Sequence, residues 1–169
     1  MMHHIERPGI FLIALCLSAC GFQLRGQTQL PPELAVVYVS TRQGIGEPPG
    51  ALSRKLRLLL AENGAKVTRD PAQATASITI FNAQSGRRTI SADRLDINRE
   101  YVLAYNAVYD VQLANGKTLI AREGLSTNRS LLFDETRVLG FEAAQQLLVE
   151  SMAEELAWQI IRRLQAFQS

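Results

Sequence analysis

The sequence has few of the side chains that enzymes use for nucleophilic or metal chemistry. Its 169 residues include two histidines and two cysteines. His3, His4 and Cys16 lie near the N-terminus, and after residue 19 only Cys20 remains. That remainder lacks the parts for a Ser-His-Asp or Cys-His nucleophile system, a Cys/His zinc site or an internal disulfide. We predict a protein that is not an enzyme and has no cofactor or metal. Carboxylate-based glycan hydrolysis stays open as an alternative.

The N-terminal apolar run is too short to span a bilayer. Residues 10–17 read IFLIALCL, whereas about 20 apolar residues are needed to cross. The run has the length of the apolar region of a secretory signal peptide. The sequence Leu17-Ser18-Ala19-Cys20 follows and resembles the bacterial lipobox, in which a peptidase cuts before a cysteine that carries diacylglycerol. We therefore predict a cleaved signal peptide over residues 1–19 and lipidation of Cys20, with a core strand as the alternative.

The charge balance is too even to indicate, by itself, nucleic acid or an anionic surface as a partner. The net charge is +2, with 20% charged and 47% hydrophobic residues, which are ordinary values for a globular domain. We predict no nucleic-acid partner. Residues 20–34, which end at Pro31-Pro32, are interpreted as a lipidated start and tether. Residues 35–169 are long enough for a single domain with one core.

Periodicity predicts the order strand, helix, three strands, helix. Alternation is clearest over residues 97–113, where Tyr101, Tyr105 and Tyr109 share one face with apolar residues. This tyrosine row is interpreted as core packing, with a binding platform as the alternative. The environment of Trp158 is left open. The other elements are strands over residues 35–40, 76–84 and 117–131, and helices over residues 51–63 and 135–166.

Asn115-Gly116 predicts a two-residue type I′ turn between the last two strands. That turn sets a register in which Val111 lies opposite Ile120 and Tyr109 opposite Arg122. Two amphipathic helices on one face of a mixed, mostly antiparallel four-stranded sheet give an α/β two-layer sandwich.

These residues resemble the LptE family of lipopolysaccharide-assembly lipoproteins. The resemblance starts at residues 20–26 (CGFQLRG) and continues at residues 52–54, 60–64, 100–101 and 115–116. It implies a sheet with two helices on one face, and a lipoprotein anchored in the outer membrane by acyl chains and facing the periplasm. It also implies 1:1 binding inside the lumen of the outer-membrane barrel LptD, and lipopolysaccharide as a ligand. Gly21 after the cysteine fits outer-membrane sorting. The alternative is a lipoprotein subunit of another envelope machine, such as the barrel assembly complex.

The candidate ligand site lies between the second and third predicted strands. Four arginines occur there with Asp93 and Asp96 as the only carboxylates: Arg87, Arg88, Arg94 and Arg99. The planar fork of arginine matches phosphate oxygens, and lipid A carries phosphates. The family resemblance singles out Arg94. The alternative is a solvated loop in which the arginines pair with the two aspartates.

Overall fold

The structure is a computed structural model that describes residues 30–42, 50–92, 98–134 and 138–168. A 3₁₀ turn at Pro32–Leu34 precedes the first strand. In chain order the strands and α-helices are β1 (Val36–Thr41), α1 (Ala51–Glu62), β2 (Lys66–Thr68), β3 (Ala76–Ala92), β4 (Asn98–Leu113), β5 (Thr118–Asp134) and α2 (Val138–Gln165). Two further 3₁₀ turns lie at Pro71–Gln73, before β3, and at Ala166–Gln168, after α2.

The strands form one mixed sheet in the order β2-β1-β3-β4-β5. Strand β1 runs parallel to both β2 and β3, and β3, β4 and β5 form an antiparallel meander. Both helices pack on one face, which confirms the predicted two-layer α/β sandwich. The sheet has five strands where we predicted four. Strand β2 has three residues, which is too short to show an alternating pattern.

Three strands are long, and they extend beyond the helix-covered core. Strand β3 runs to Ala92, whereas its predicted end was residue 84. Residues 84–90 are exposed, so no apolar alternation marks them as a strand. Pairing with β4 along this whole stretch keeps the segment extended. We call the end of the sheet at Ala76, Leu113 and Thr118 the proximal end, and the end at Ala92, Asn98 and Asp134 the distal end.

The β4–β5 hairpin closes through three residues, Ala114–Gly116, so the predicted two-residue turn is wrong. The Leu113 N–H donates to the Lys117 carbonyl (2.9 Å), and the Gly116 N–H donates to the Leu113 carbonyl (2.9 Å). Gly116 has a φ of +83°, a conformation that glycine adopts without a steric cost. Val111 lies opposite Ile120 as predicted.

Tyr109 lies opposite Glu123, one residue from the predicted partner Arg122. The cause is a register shift between Tyr109 and Val111. Such a bulge adds one residue to one strand and moves every later pair.

The core lies between the sheet and the helices and takes alternate residues of β4. Leu103, Tyr105, Ala107, Tyr109 and Val111 are buried there. They pack with the inner faces of the helices, which contribute Leu52, Leu56, Leu60, Met152, Leu156, Ile160 and Leu164. The core interpretation of the tyrosine row therefore holds for Tyr105 and Tyr109. Trp158 is partly buried against the same cluster, and Leu30 and Leu34, which precede β1, also belong to it.

An arginine covers the exposed edge of β1. Strand β2 pairs with β1 only from Val36 to Tyr38, which leaves the next carbonyl on that side without a strand partner. The Arg57 guanidinium, from α1, donates to the Val39 carbonyl at 2.8 Å. A covered edge is a poor template for pairing with another chain.

Tyr109 allows a test of how tightly the core excludes water. Its hydroxyl is buried and has no hydrogen-bond partner among the residues that the structure describes. Burial, followed by the nearby Glu123 carboxylate, raises the pKa of Tyr109 to about 12. The folded protein therefore holds this proton at a pH where the unfolded chain, with a pKa of 10.0, has lost it. The corresponding stability is present below pH 10 and is lost as the pH rises toward 12.

We predict that Tyr109→Phe leaves the free energy of unfolding at pH 7 within about 0.5 kcal/mol, because no hydrogen bond is lost. Between about pH 10 and 12 the wild-type protein should lose on the order of 2 kcal/mol more than the variant. Urea unfolding of both proteins at a series of pH values measures this difference. If the free energy of unfolding falls equally with pH in the two proteins over that range, the Tyr109 phenol has the same pKa in the folded and the unfolded protein, which would contradict the prediction.

Candidate functional site

The sheet register places Arg87 and Arg88 on opposite faces. Arg87 pairs with Leu103, whose side chain enters the core, and Arg88 pairs with Val102 on the helix-free face. Both arginines are exposed on the distal part of β3. Neighbours along a strand alternate between faces, so these two guanidiniums do not form one cluster.

The other two predicted arginines are less fully described. The backbone of Arg99 pairs with Ala92 and Phe133 at the distal end. Arg94, Asp93 and Asp96 lie outside the described residues, so their proposed pairing stays a prediction. The same holds for Cys20 and the signal peptide.

Arg87 is held against the first turns of α2. Its guanidinium carbon lies 4.9 Å from the ring centre of Tyr101 and 5.4 Å from that of Phe141. The two rings are 5.6 Å apart. The guanidinium also donates to Gln145 Oε1 at 2.8 Å. Arg87 therefore connects β3 to α2 in the distal half of the domain, where the apolar core is ending.

Arg88 lies on a different kind of surface. Its register partners across the helix-free face are Val102 and Ser130. The next row pairs Ser91 with the carboxylate-bearing Glu100, and Glu100 with Leu132, which is 76% exposed. Ile90, which is 53% exposed, lies at the register shift beside this row. Exposed apolar side chains beside a cation suit a ligand that carries both an anionic group and hydrocarbon.

A second group of arginines, which the sequence analysis missed, surrounds Phe81. The guanidinium carbon of Arg122 lies 3.8 Å from the ring centre, and that of Arg42 lies 5.1 Å from it. These residues are far apart in sequence and come from β5, the end of β1 and β3. No sequence pattern reveals this contact, because it depends on the strand order.

The described part of the chain contains no cluster of histidine, cysteine, aspartate or glutamate that fits a metal ion. Among its helices, none is both long enough and apolar enough to cross a bilayer.

Comparison with known proteins gives a consistent result. The family model described as "LptE: Lipopolysaccharide-assembly" matches residues 34–164. The LPS-assembly lipoprotein LptE of Yersinia enterocolitica is 27% identical over 165 residues, which cover 97% of this chain and 77% of that protein. The protein of the same name from Photorhabdus laumondii is 25% identical over 164 residues, covering 97% of this chain and 87% of the relative.

Solved structures share the fold. Lipoprotein B of Nitrosomonas europaea superposes with a TM-score of 0.70 at 26% identity, covering 88% of this chain and 92% of that one. The rare lipoprotein B of Shewanella oneidensis gives a TM-score of 0.62 at 20% identity, covering 79% and 96%. At that identity the second likeness concerns the fold alone.

We predict that Arg87 and Arg88 differ in their contribution to stability. Arg87→Met removes a cation from two rings and a hydrogen bond to α2, and should lower the free energy of unfolding by about 1 kcal/mol. Arg88→Met is the matched control and should change it by less than about 0.5 kcal/mol. Urea unfolding followed by circular dichroism measures both. Equal losses would contradict the assignment of a packing role to Arg87.

Proposed function

This chain belongs to the LptE lipopolysaccharide-assembly family, and we propose that it is an outer-membrane lipoprotein that occupies the lumen of the LptD barrel. In this proposal Cys20 carries the acyl chains and the domain faces the periplasm. The two proteins associate 1:1 and deliver lipopolysaccharide to the membrane. The match of the family model to residues 34–164 is the observation that carries the proposal.

The outer surface of the helix layer supports a position in a polar lumen. Ion pairs link the two helices there, at 2.8 Å between Arg54 and Glu150 and 3.0 Å between Lys55 and Glu154. All four side chains are substantially exposed. Barrel interiors are polar, whereas the lipid-facing outside is apolar. A plug with a charged helix layer suits the inside of such a barrel.

The length of the central strands also suits this position. Strand β4 has 16 residues and β5 has 17. At about 3.4 Å per residue each strand spans roughly 55 Å, whereas the apolar band of an outer-membrane barrel is about 25 Å tall. In the proposed arrangement, a sheet of this length aligned with the barrel axis is longer than the apolar band and extends beyond it.

The distal helix-free face supports direct contact with lipopolysaccharide. Arg88 lies there opposite Val102, and Leu132 and Ile90 are exposed farther along the same end of the sheet. A guanidinium in the same region as exposed apolar side chains suits a ligand with phosphate and hydrocarbon parts. The proposal also includes Arg99, whose backbone pairs with Ala92 at the distal end, and Arg94, which lies between β3 and β4 in the sequence. Arg87, by contrast, is engaged with α2 and contributes to positioning.

Affinity purification of the tagged chain from solubilised envelopes tests the partner. We expect a large outer-membrane barrel of the LptD type in a 1:1 ratio. A Cys20→Ala variant should still bring down the barrel, because the contact is made by the domain. Recovery of barrel-assembly proteins instead would favour the alternative envelope machine, and recovery of no barrel would contradict the proposal.

Binding of purified lipopolysaccharide tests the ligand. We predict that Arg88→Glu and Arg94→Glu each weaken binding about tenfold, the effect of losing one charge-assisted hydrogen bond. Lys66→Glu is the control, since it makes the same kind of change at an exposed position of β2 on the far edge of the sheet. It should alter binding less than twofold. Equal losses in all three variants would indicate a nonspecific charge effect.

A further inference from the structure

The two edges of the sheet differ in how far their backbone groups are covered. At the β1 edge, the Arg57 guanidinium donates a hydrogen bond to the Val39 carbonyl, which β2 leaves without a strand partner. On β5, the Arg129 guanidinium donates to the Asn128 carbonyl at 2.9 Å. Among the described residues no strand or side chain covers the proximal stretch of β5, from Leu119 to Leu125. That stretch presents a row of backbone groups to any chain that approaches it.

A groove runs along this open stretch. Its first part is a cavity of about 460 Å³ lined by five consecutive residues of β5, Leu119 to Glu123, together with Arg163, Ala166 and Phe167. Its second part, about 370 Å³, is lined by Glu123, Leu125, Tyr109, Gln159, Arg162, Arg163 and Ala166. The two parts share Glu123, Arg163 and Ala166, so they adjoin. The groove therefore has the backbone of an edge strand on one side and the last turns of α2 on the other.

The groove contains an exposed apolar position. Phe167, which is 46% exposed, lies with Leu119 and Ile120 in the first part. A bound chain can place an apolar side chain against it.

The charge around the groove favours an acidic occupant. Arg162 and Arg163 line it on the α2 side, against the single carboxylate of Glu123, whereas the Arg122 guanidinium is stacked on Phe81. That carboxylate is already paired with Arg163 at 3.0 Å. Arg162 is exposed and has no ion pair within the described part of the chain. Placing a second copy of β5 here would bring these arginines close to their equivalents, which is unfavourable.

We propose that the open edge of β5 binds an extended acidic peptide segment of a partner protein as an added strand. The segment pairs through its main chain with Leu119–Leu125, inserts an apolar side chain beside Phe167, and brings a carboxylate to Arg162. Strand addition of this kind combines main-chain hydrogen bonds for affinity with side-chain pockets for selectivity. The proposal does not depend on lipopolysaccharide or on a barrel partner.

The probe is a capped eight-residue peptide in which aspartate alternates with leucine and phenylalanine, added to the full detergent-solubilised chain. We expect amide chemical shifts and slower hydrogen exchange confined to residues 119–125 and the end of α2. The same peptide with alternate backbone amides methylated should bind at least tenfold more weakly, because it lacks half of its donors. A peptide with lysine in place of aspartate should also bind at least tenfold more weakly.

Two variants locate the charge contact. Arg162→Glu should weaken binding of the acidic peptide about tenfold, and Lys66→Glu, on the opposite edge strand, should leave it within twofold. Equal binding by the methylated and unmethylated peptides would overturn strand addition. Shifts located elsewhere would overturn it as well. Absence of any shift, as expected if a second copy or the chain's own residues before Leu30 already cover the edge, would also overturn the proposal.

Discussion

Burial of alternate β4 residues beneath α2 is the constraint on which the rest of the structure depends. Leu103, Tyr105, Ala107, Tyr109 and Val111 face the helices along one strand. A shift of one residue in the pairing would expose every one of them, so the register of the neighbouring strands is fixed by this row. The inner residues of α2, including Met152, Leu156 and Ile160, are fully buried against it. Each such side chain contributes about 1.5–3 kcal/mol on burial.

The apolar row ends before the strands do, and this divides the domain into two halves. In the proximal half, the helices cover one face of the sheet apart from the groove between β5 and the end of α2. Among the described side chains of β4, Leu103 is the buried one nearest the distal end. Beyond it, Arg87 of β3 and Tyr101 of β4 contact Phe141 of α2. A long antiparallel ladder without a full core keeps its shape through backbone pairing and a few such contacts. That arrangement leaves side chains on both faces of the distal half available for partners.

The sequence predicts those helices and strands that bury one face and expose the other. Strand β4 and both helices were predicted because one face of each is buried and the other is not. The distal part of β3 was not predicted, because its residues are exposed on both faces and resemble a loop. The predicted strand register was wrong at Tyr109. A bulge that no residue type in the sequence indicates makes Glu123, and not Arg122, its partner. Arg87 and Arg88 were grouped because they are adjacent in the sequence. In β3 they point to opposite faces of the sheet, as adjacent residues of a strand do.

The exposed parts of the sheet are not required for the stability of the domain. Burial of one face against the helices accounts for stability, so the other face and the β5 edge are not needed for it. Arginine is placed differently in each region: over a carbonyl at Val39, against aromatic rings at Arg87, and beside an open groove at Arg162. In the first two, the guanidinium is engaged by the fold itself. At the groove Arg163 is paired with Glu123, but Arg162 has no such pair within the described residues. Arg162 lies in the last turn of α2, where a cation interacts favourably with the helix dipole, and it stays exposed beside the open strand edge.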